Sequence, residues 1–125
     1  MKEGDVVLTP IPQADGIVKN RPAIILREMP PYRDFLVCGV STQLNKQVKG
    51  FDEVIGSTDD DFKASGLRIN SLVRLGFLAV LPSAQIIGAI GSISSTRHKK
   101  LLKTLSDYLI EALVVPHDRK QQRNE

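Results

Sequence analysis

The chemistry of this 125-residue chain gathers in two short phrases. Asn20-Arg21-Pro22-Ala23-Ile24-Ile25-Leu26 sets an arginine at the mouth of an apolar run. Val37-Cys38-Gly39-Val40-Ser41-Thr42-Gln43 ends another apolar run in a pair of hydroxyls. A guanidinium is always charged and presents a planar fork of donors. If the two runs are neighbouring strands, Arg21 and Ser41 meet at one sheet end, with Thr42 as the adjacent hydroxyl. That is a place to hold a phosphate. Each residue also has a plainer reading. Arg21 could anchor a loop through a carboxylate such as Asp5, and Ser41 could end its strand by bonding backbone. Arg74, inside the apolar stretch Ser71-Leu72-Val73-Arg74-Leu75, is a second cation, in a setting where arginines also snorkel to the rim.

Other reactive side chains read as structural. Asp59-Asp60-Asp61 invites a metal, but three consecutive carboxylates do not face one ion without a matching loop, and a solvated turn or helix cap is expected. His98 falls in the first turn of a predicted helix and His117 after Pro116, both away from the proposed site. Lys99, Lys100 and Lys103 read as a solvated helix face. Cys38 reads as a small buried strand residue. As the sole cysteine it excludes an internal disulfide and a cysteine-rich metal site. No metal and no cofactor is expected.

A hydrophobic fraction of 42% with 25% charged residues is ordinary for one globular domain. No apolar run reaches the roughly 20 residues of a membrane helix, and Met1-Lys2-Glu3-Gly4-Asp5 lacks the apolar core of a secretion signal. The expectation is a cytoplasmic protein with no membrane partner. The net charge is +3, yet acidic and basic residues balance through residue 93, so the whole excess lies after it. Overall charge therefore describes the C-terminal segment and carries no argument for nucleic acid.

The elements that must position Arg21 and Ser41 follow from the pattern. Strands are predicted over 6–11, 22–27, 35–41, 51–55, 71–75, 77–81 and 85–93, the last weakened by glycine. The polar loop 13–20 is long enough to act as a flap, Met29-Pro30-Pro31-Tyr32 is a turn, and 42–50 is polar and mobile by composition. Residues 56–61 form a turn, and one helical turn precedes Gly66. Ser94 or Ser95 caps a helix whose apolar stripe is Leu101, Leu102, Leu105, Tyr108, Leu109, Ala112 and Leu113. Pro116 stops it. The expected fold is mostly β: a small, strongly bent barrel with an amphipathic C-terminal helix, one domain over 1–116 and a polar tail over 117–125.

In order along the chain, the opening Gly4-Asp5-Val6-Val7-Leu8, a loop, Arg21-Pro22 before its apolar strand, the strand ending Ser41-Thr42-Gln43, the segment Gly66-Leu67-Arg68-Ile69-Asn70-Ser71-Leu72-Val73-Arg74 and the capped helix resemble the MazF/PemK family of toxin endoribonucleases. The resemblance runs from Gly4 to about Leu113. It implies an SH3-like barrel with a C-terminal helix, usually a homodimer. It also implies metal-independent cleavage of single-stranded RNA by the RNA's own 2′-hydroxyl, leaving 2′,3′-cyclic phosphate and 5′-hydroxyl ends. By the resemblance Arg21 matches the catalytic arginine, Ser41 stands where many members carry threonine, and Arg74 matches a second basic position. Thr42, Gln43, Asn20 and Asp15 are the candidate substrate-binding residues, Asp15 being a general-base candidate if the flap closes. The implied partner is an antitoxin that lays a flexible acidic segment across the site.

The chain departs from the family at Gly76, where some members carry an acid. It departs again in the flap, where Gln13-Ala14-Asp15 lacks a histidine and Lys19-Asn20 replaces a glycine before the arginine. A second class of function follows from those departures: a barrel without catalysis that binds RNA, regulates, or poisons DNA gyrase as relatives of this fold do. Val114-Val115-Pro116 and a charged tail, with no aromatic anchor, weigh against the gyrase reading.

Overall fold

Runs of β-branched and aliphatic residues form six strands, the expected outcome for segments buried on both faces. The computed structural model describes residues 1–12 and 14–114, and at Pro12 and 112–114 the backbone alone. Gln13, the stop at Pro116, His117 and the tail 117–125 lie outside the described residues, as do the side chains of Ala112 and Leu113. The strands are β1 (Asp5–Pro12), β2 (Val18–Met29), β3 (Asp34–Ser41), β4 (Glu53–Ile55), β5 (Ser71–Leu81) and β6 (Gly88–Ser92). A four-residue helix α1 (Phe62–Ser65) precedes Gly66, and α2 (Ser95–Val114) ends the described chain.

All pairings are antiparallel, in the order β4-β5-β3-β2-β1-β6. The sheet curls into a half-barrel with a C-terminal helix, so the expected mostly-β bent barrel is what the chain forms. Several boundaries differ from the sequence reading. β2 reaches back to Val18, because β1 pairs with it as far as Pro12↔Val18, and so takes up residues 18–20 of the presumed flap. The segment 42–50 contains a 3-10 turn, Leu44–Lys46. The predicted last strand is a 3-10 turn, Ser83–Gln85, followed by the shorter β6.

The two strands predicted on either side of Gly76 are one strand, β5. Cys38 pairs with Leu78 and the next residue, Gly39, with Arg74, so Leu75, Gly76 and Phe77 have no opposite number on β3. Extra residues of this kind bend a strand and re-aim its side chains.

Strand alternation sorts the core into two clusters. Val6, Ile24, Leu26, Cys38, Val40, Val73 and Leu75 pack under α2 through Leu101 and Leu105. Val7, Ala23, Ile25, Phe35, Val37 and Ile86 form a smaller cluster on the other face. Burial pushes the Cys38 thiol up to about 12. No ladder joins β6 to β4. Instead α1 lies against β6, and a β-carbon at Gly66 would strike the Ile90 carbonyl, one at Gly91 the Ala64 carbonyl. The glycine that weakens β6 therefore serves a close backbone approach within the chain.

Ser94 is the cap of α2, its Oγ accepting the Arg97 N–H at 3.1 Å. The stripe is buried only in its first half. Leu101 and Leu105 are covered, whereas Tyr108 and Leu109, expected on the buried face, are 39% and 57% exposed. Tyr108 does tilt onto Phe51, with ring centroids 5.0 Å apart.

Candidate functional site

β2 and β3 are neighbours, and their register brings the two phrases together. Ala23 faces Gly39, and carrying that ladder on by two residues sets Arg21 opposite Ser41. On the other side β5 places Arg74 opposite Gly39. Arg21, Ser41 and Arg74 all project from the face opposite α2, and with Thr42, Gln43, Lys46 and Phe77 they line an open cleft of about 200 Å³.

The cleft holds three cations, Arg21, Lys46 and Arg74, and among the described residues no carboxylate lines it. Arg21 is exposed and Arg74 half-buried. Asp5, the carboxylate considered as an anchor for Arg21, accepts from the Lys2 backbone N–H and from Lys2 Nζ, each at 2.9 Å. Ser41 Oγ accepts the Gln43 N–H at 3.0 Å, so the plain reading of Ser41, a strand end bonding backbone, is met. That bond uses a lone pair and leaves the hydroxyl proton to be donated. The side chain is thereby fixed in place as a donor.

Not every predicted residue converges. Asn20 is exposed and alternates to the face opposite Arg21, and Asp15 is exposed with Oδ1 accepting the Ile17 N–H at 2.9 Å. Neither lines the cleft. Gly76 lies in the β5 bulge, where an added β-carbon would touch only the Phe51 ring, at 3.8 Å.

Two lining residues escaped the sequence reading. Lys46 comes from the 3-10 turn after Gln43, and a single lysine in a polar segment carries no signal. Phe77 is raised by the bulge so that its ring covers Gly39, where a β-carbon would collide with it. Here a signal existed: glycine inside a strand marks a bulge or a close approach, and Gly39 and Gly76 are both of that kind.

The remaining candidates are structural. Arg97 binds Asp61 through Nε at 2.8 Å and Nη2 at 3.1 Å, Asp59 at 3.1 Å and Glu53 at 2.9 Å. Asp61 also accepts the Ser94 N–H at 3.0 Å. Asp59 and Asp61 thus seat the first turn of α2, and Asp61, at the N-cap position of α1, makes no side-chain cap there. Burial works to raise the Asp61 carboxyl, and the Arg97 and Ser94 hydrogen bonds outweigh it, holding it below the usual range. His98 Nε2 donates to the Leu26 carbonyl at 2.8 Å. Lys100 lies 3.6 Å from Glu53 and Lys103 3.1 Å from Asp107, both on the exposed face of α2.

Among solved structures the chain is similar to the Mycobacterium tuberculosis toxin MazF-mt6, with a TM-score of 0.60 and 17% identity over 82% of this chain and 93% of that one. At that identity the likeness is one of fold. Curated protein sequences give no match. The model of the PemK-like, MazF-like toxins of type II toxin-antitoxin systems matches residues 2–109. With nearly the whole chain matched and the half-barrel in place, this protein belongs to the PemK/MazF-like toxin family of type II toxin-antitoxin systems.

Proposed function

We propose that the chain is a toxin endoribonuclease that cuts single-stranded RNA at selected sequences, in the cytoplasm, without a metal ion. The observation that carries this reading is the convergence of Arg21, Ser41 and Arg74, from three strands, on one cleft with Lys46. A phosphate seated there meets two guanidiniums, an ammonium and an oriented hydroxyl. The attacking 2′-oxygen closes on phosphorus and the 5′-oxygen leaves, so negative charge grows on the non-bridging oxygens. Arg21 stabilises that charge and Ser41 donates to one of the oxygens, the work otherwise done by a Lewis acid. The products are a 2′,3′-cyclic phosphate and a 5′-hydroxyl. The general base is not assigned.

The same cleft attracts an acidic antitoxin segment, which competes with RNA for the three cations. A homodimer is part of this reading: Leu78, Val80, Leu109 and Ile110 are large apolar side chains exposed on the single chain, and a second copy would cover such surface.

A non-catalytic binding role is the second reading, favoured by one observation: among the described residues no histidine or carboxylate lines the cleft to take the 2′-proton. Incubating the purified protein with mixed-sequence RNA in EDTA and mapping 5′ ends separates the two. Discrete cuts with 5′-hydroxyl ends are expected, reduced about 10²–10³-fold in Arg21→Ala at unchanged melting temperature. Binding without cuts would select the second reading.

A further inference from the structure

The face that carries the cleft continues into a second hollow. Ile11, Gly39 and Phe77 border both. Beyond them lies a slot of about 140 Å³, lined by Thr9, Pro10, Ala23, Val37, Ala79 and Leu81. Its lining is apolar except for one side chain. Thr9 is 1% exposed, and its Oγ1 has no hydrogen-bond partner among the described residues. A hydroxyl hidden from water without a partner is a worse occupant of that position than the methyl of valine, which has the same shape. Thr9 also stands directly opposite Arg21 in the β1–β2 ladder, so the hydroxyl and the guanidinium are cross-strand neighbours.

We infer that the slot receives one nucleobase of the RNA strand whose phosphate rests at Arg21, and that Thr9 is a specificity-determining residue. This rests on the RNA reading of the cleft. A base is flat and apolar over its faces and polar along its edge, which matches an apolar lining that holds one hydroxyl residue. Phe77, 45% exposed on the border of the two hollows, supplies a ring for the base to stack on. An aliphatic peptide side chain would fill the same space and leave Oγ1 as unpaired as it is now. The cations beside the slot select an occupant joined to a phosphate. Arg21 and Arg74 then hold the strand, Phe77 binds any base, and Thr9 prefers the base whose edge completes its hydrogen bond.

The test uses the full chain and a random-sequence RNA pool carrying 2′-fluoro groups, which lacks the attacking hydroxyl. Bound sequences are read for the wild type, Thr9→Val, Thr9→Ser and Phe77→Leu. The wild type should enrich one base at one position. Thr9→Val should lower that enrichment about tenfold while melting at a higher temperature, since it replaces an unpaired hydroxyl with a methyl. Thr9→Ser, which keeps the hydroxyl, should retain the preference. Phe77→Leu should weaken all sequences alike, by about tenfold. An unchanged preference in Thr9→Val, or no RNA bound by the wild type, overturns the inference. Failure of the nuclease reading shows separately: the enriched sequence, made as ordinary RNA, is bound and left uncut.

Discussion

At the scale of single residues, Arg21, Lys46 and Arg74 gather on one cleft, and Ser41 gives a lone pair to the Gln43 N–H, which leaves its proton to be donated. Gly39 has the least obvious part. It lets the Phe77 ring lie against β3, so Gly39→Ala should push the ring outward at a folding cost of about 1–2 kcal/mol, because Phe77 is half in solvent and can swing. The loss should appear as RNA affinity about tenfold weaker together with a melting temperature lower by about 5 °C, measured by titration and calorimetry. Arg21, Ser41 and Arg74 were legible because a strand register converts spacing into position: two apolar runs with their polar ends marked meet there if they pair. Phe77 and Lys46 were not, since the first depends on a three-residue bulge and the second on a 3-10 turn. Asp15 marks the limit of the same reasoning, because its carboxylate closes a local turn onto the Ile17 N–H.

At the scale of elements, α2 is held by charge at one end and by burial in the middle. Arg97, 14% exposed, is gripped by Asp61, Asp59 and Glu53, while Ser94 closes the first turn. Removing Arg97 strands carboxylates that are themselves largely covered, and Arg97→Ala should cost about 3 kcal/mol, a melting shift on the order of 10 °C. The pH dependence has a definite sign. The folded Asp61 carboxyl titrates below its unfolded value, so its contribution is complete above about pH 4 and is lost as pH falls through the folded pKa. Acid titration followed by circular dichroism should show the destabilisation below about pH 4, and Asp61→Asn should remove that part of it. The helix, its cap and its first buried leucines could be read from a 3.6-residue period and a serine pair. The end of burial at Leu105 could not, because periodicity tells which face is apolar and not how far the sheet beneath it extends.

At the scale of the molecule, a charge balance that looked uninformative is in fact sorted. Asp5 is engaged by Lys2, Glu3 by Arg27, Glu28 by Arg33, and Glu53, Asp59 and Asp61 by Arg97, leaving the opposite face to Arg21, Lys46 and Arg74. A sum over the sequence hides this because pairing is decided by tertiary position. Three phosphate contacts on a single strand predict a log–log slope of RNA affinity against salt of about −2, and Arg74→Ala should reduce it by about 0.7. An unchanged slope would place the phosphates elsewhere. The sheet that achieves this sorting also hides the only cysteine, Cys38, with its thiol held near 12 beneath α2 and one strand residue away from Gly39. Since a thiolate is what alkylating reagents attack, that sulfur is silent while the barrel stays closed. Each molecule therefore carries its own stopwatch: the pace at which Cys38 is labelled at neutral pH reports how often the strand bearing Ser41 leaves its neighbours.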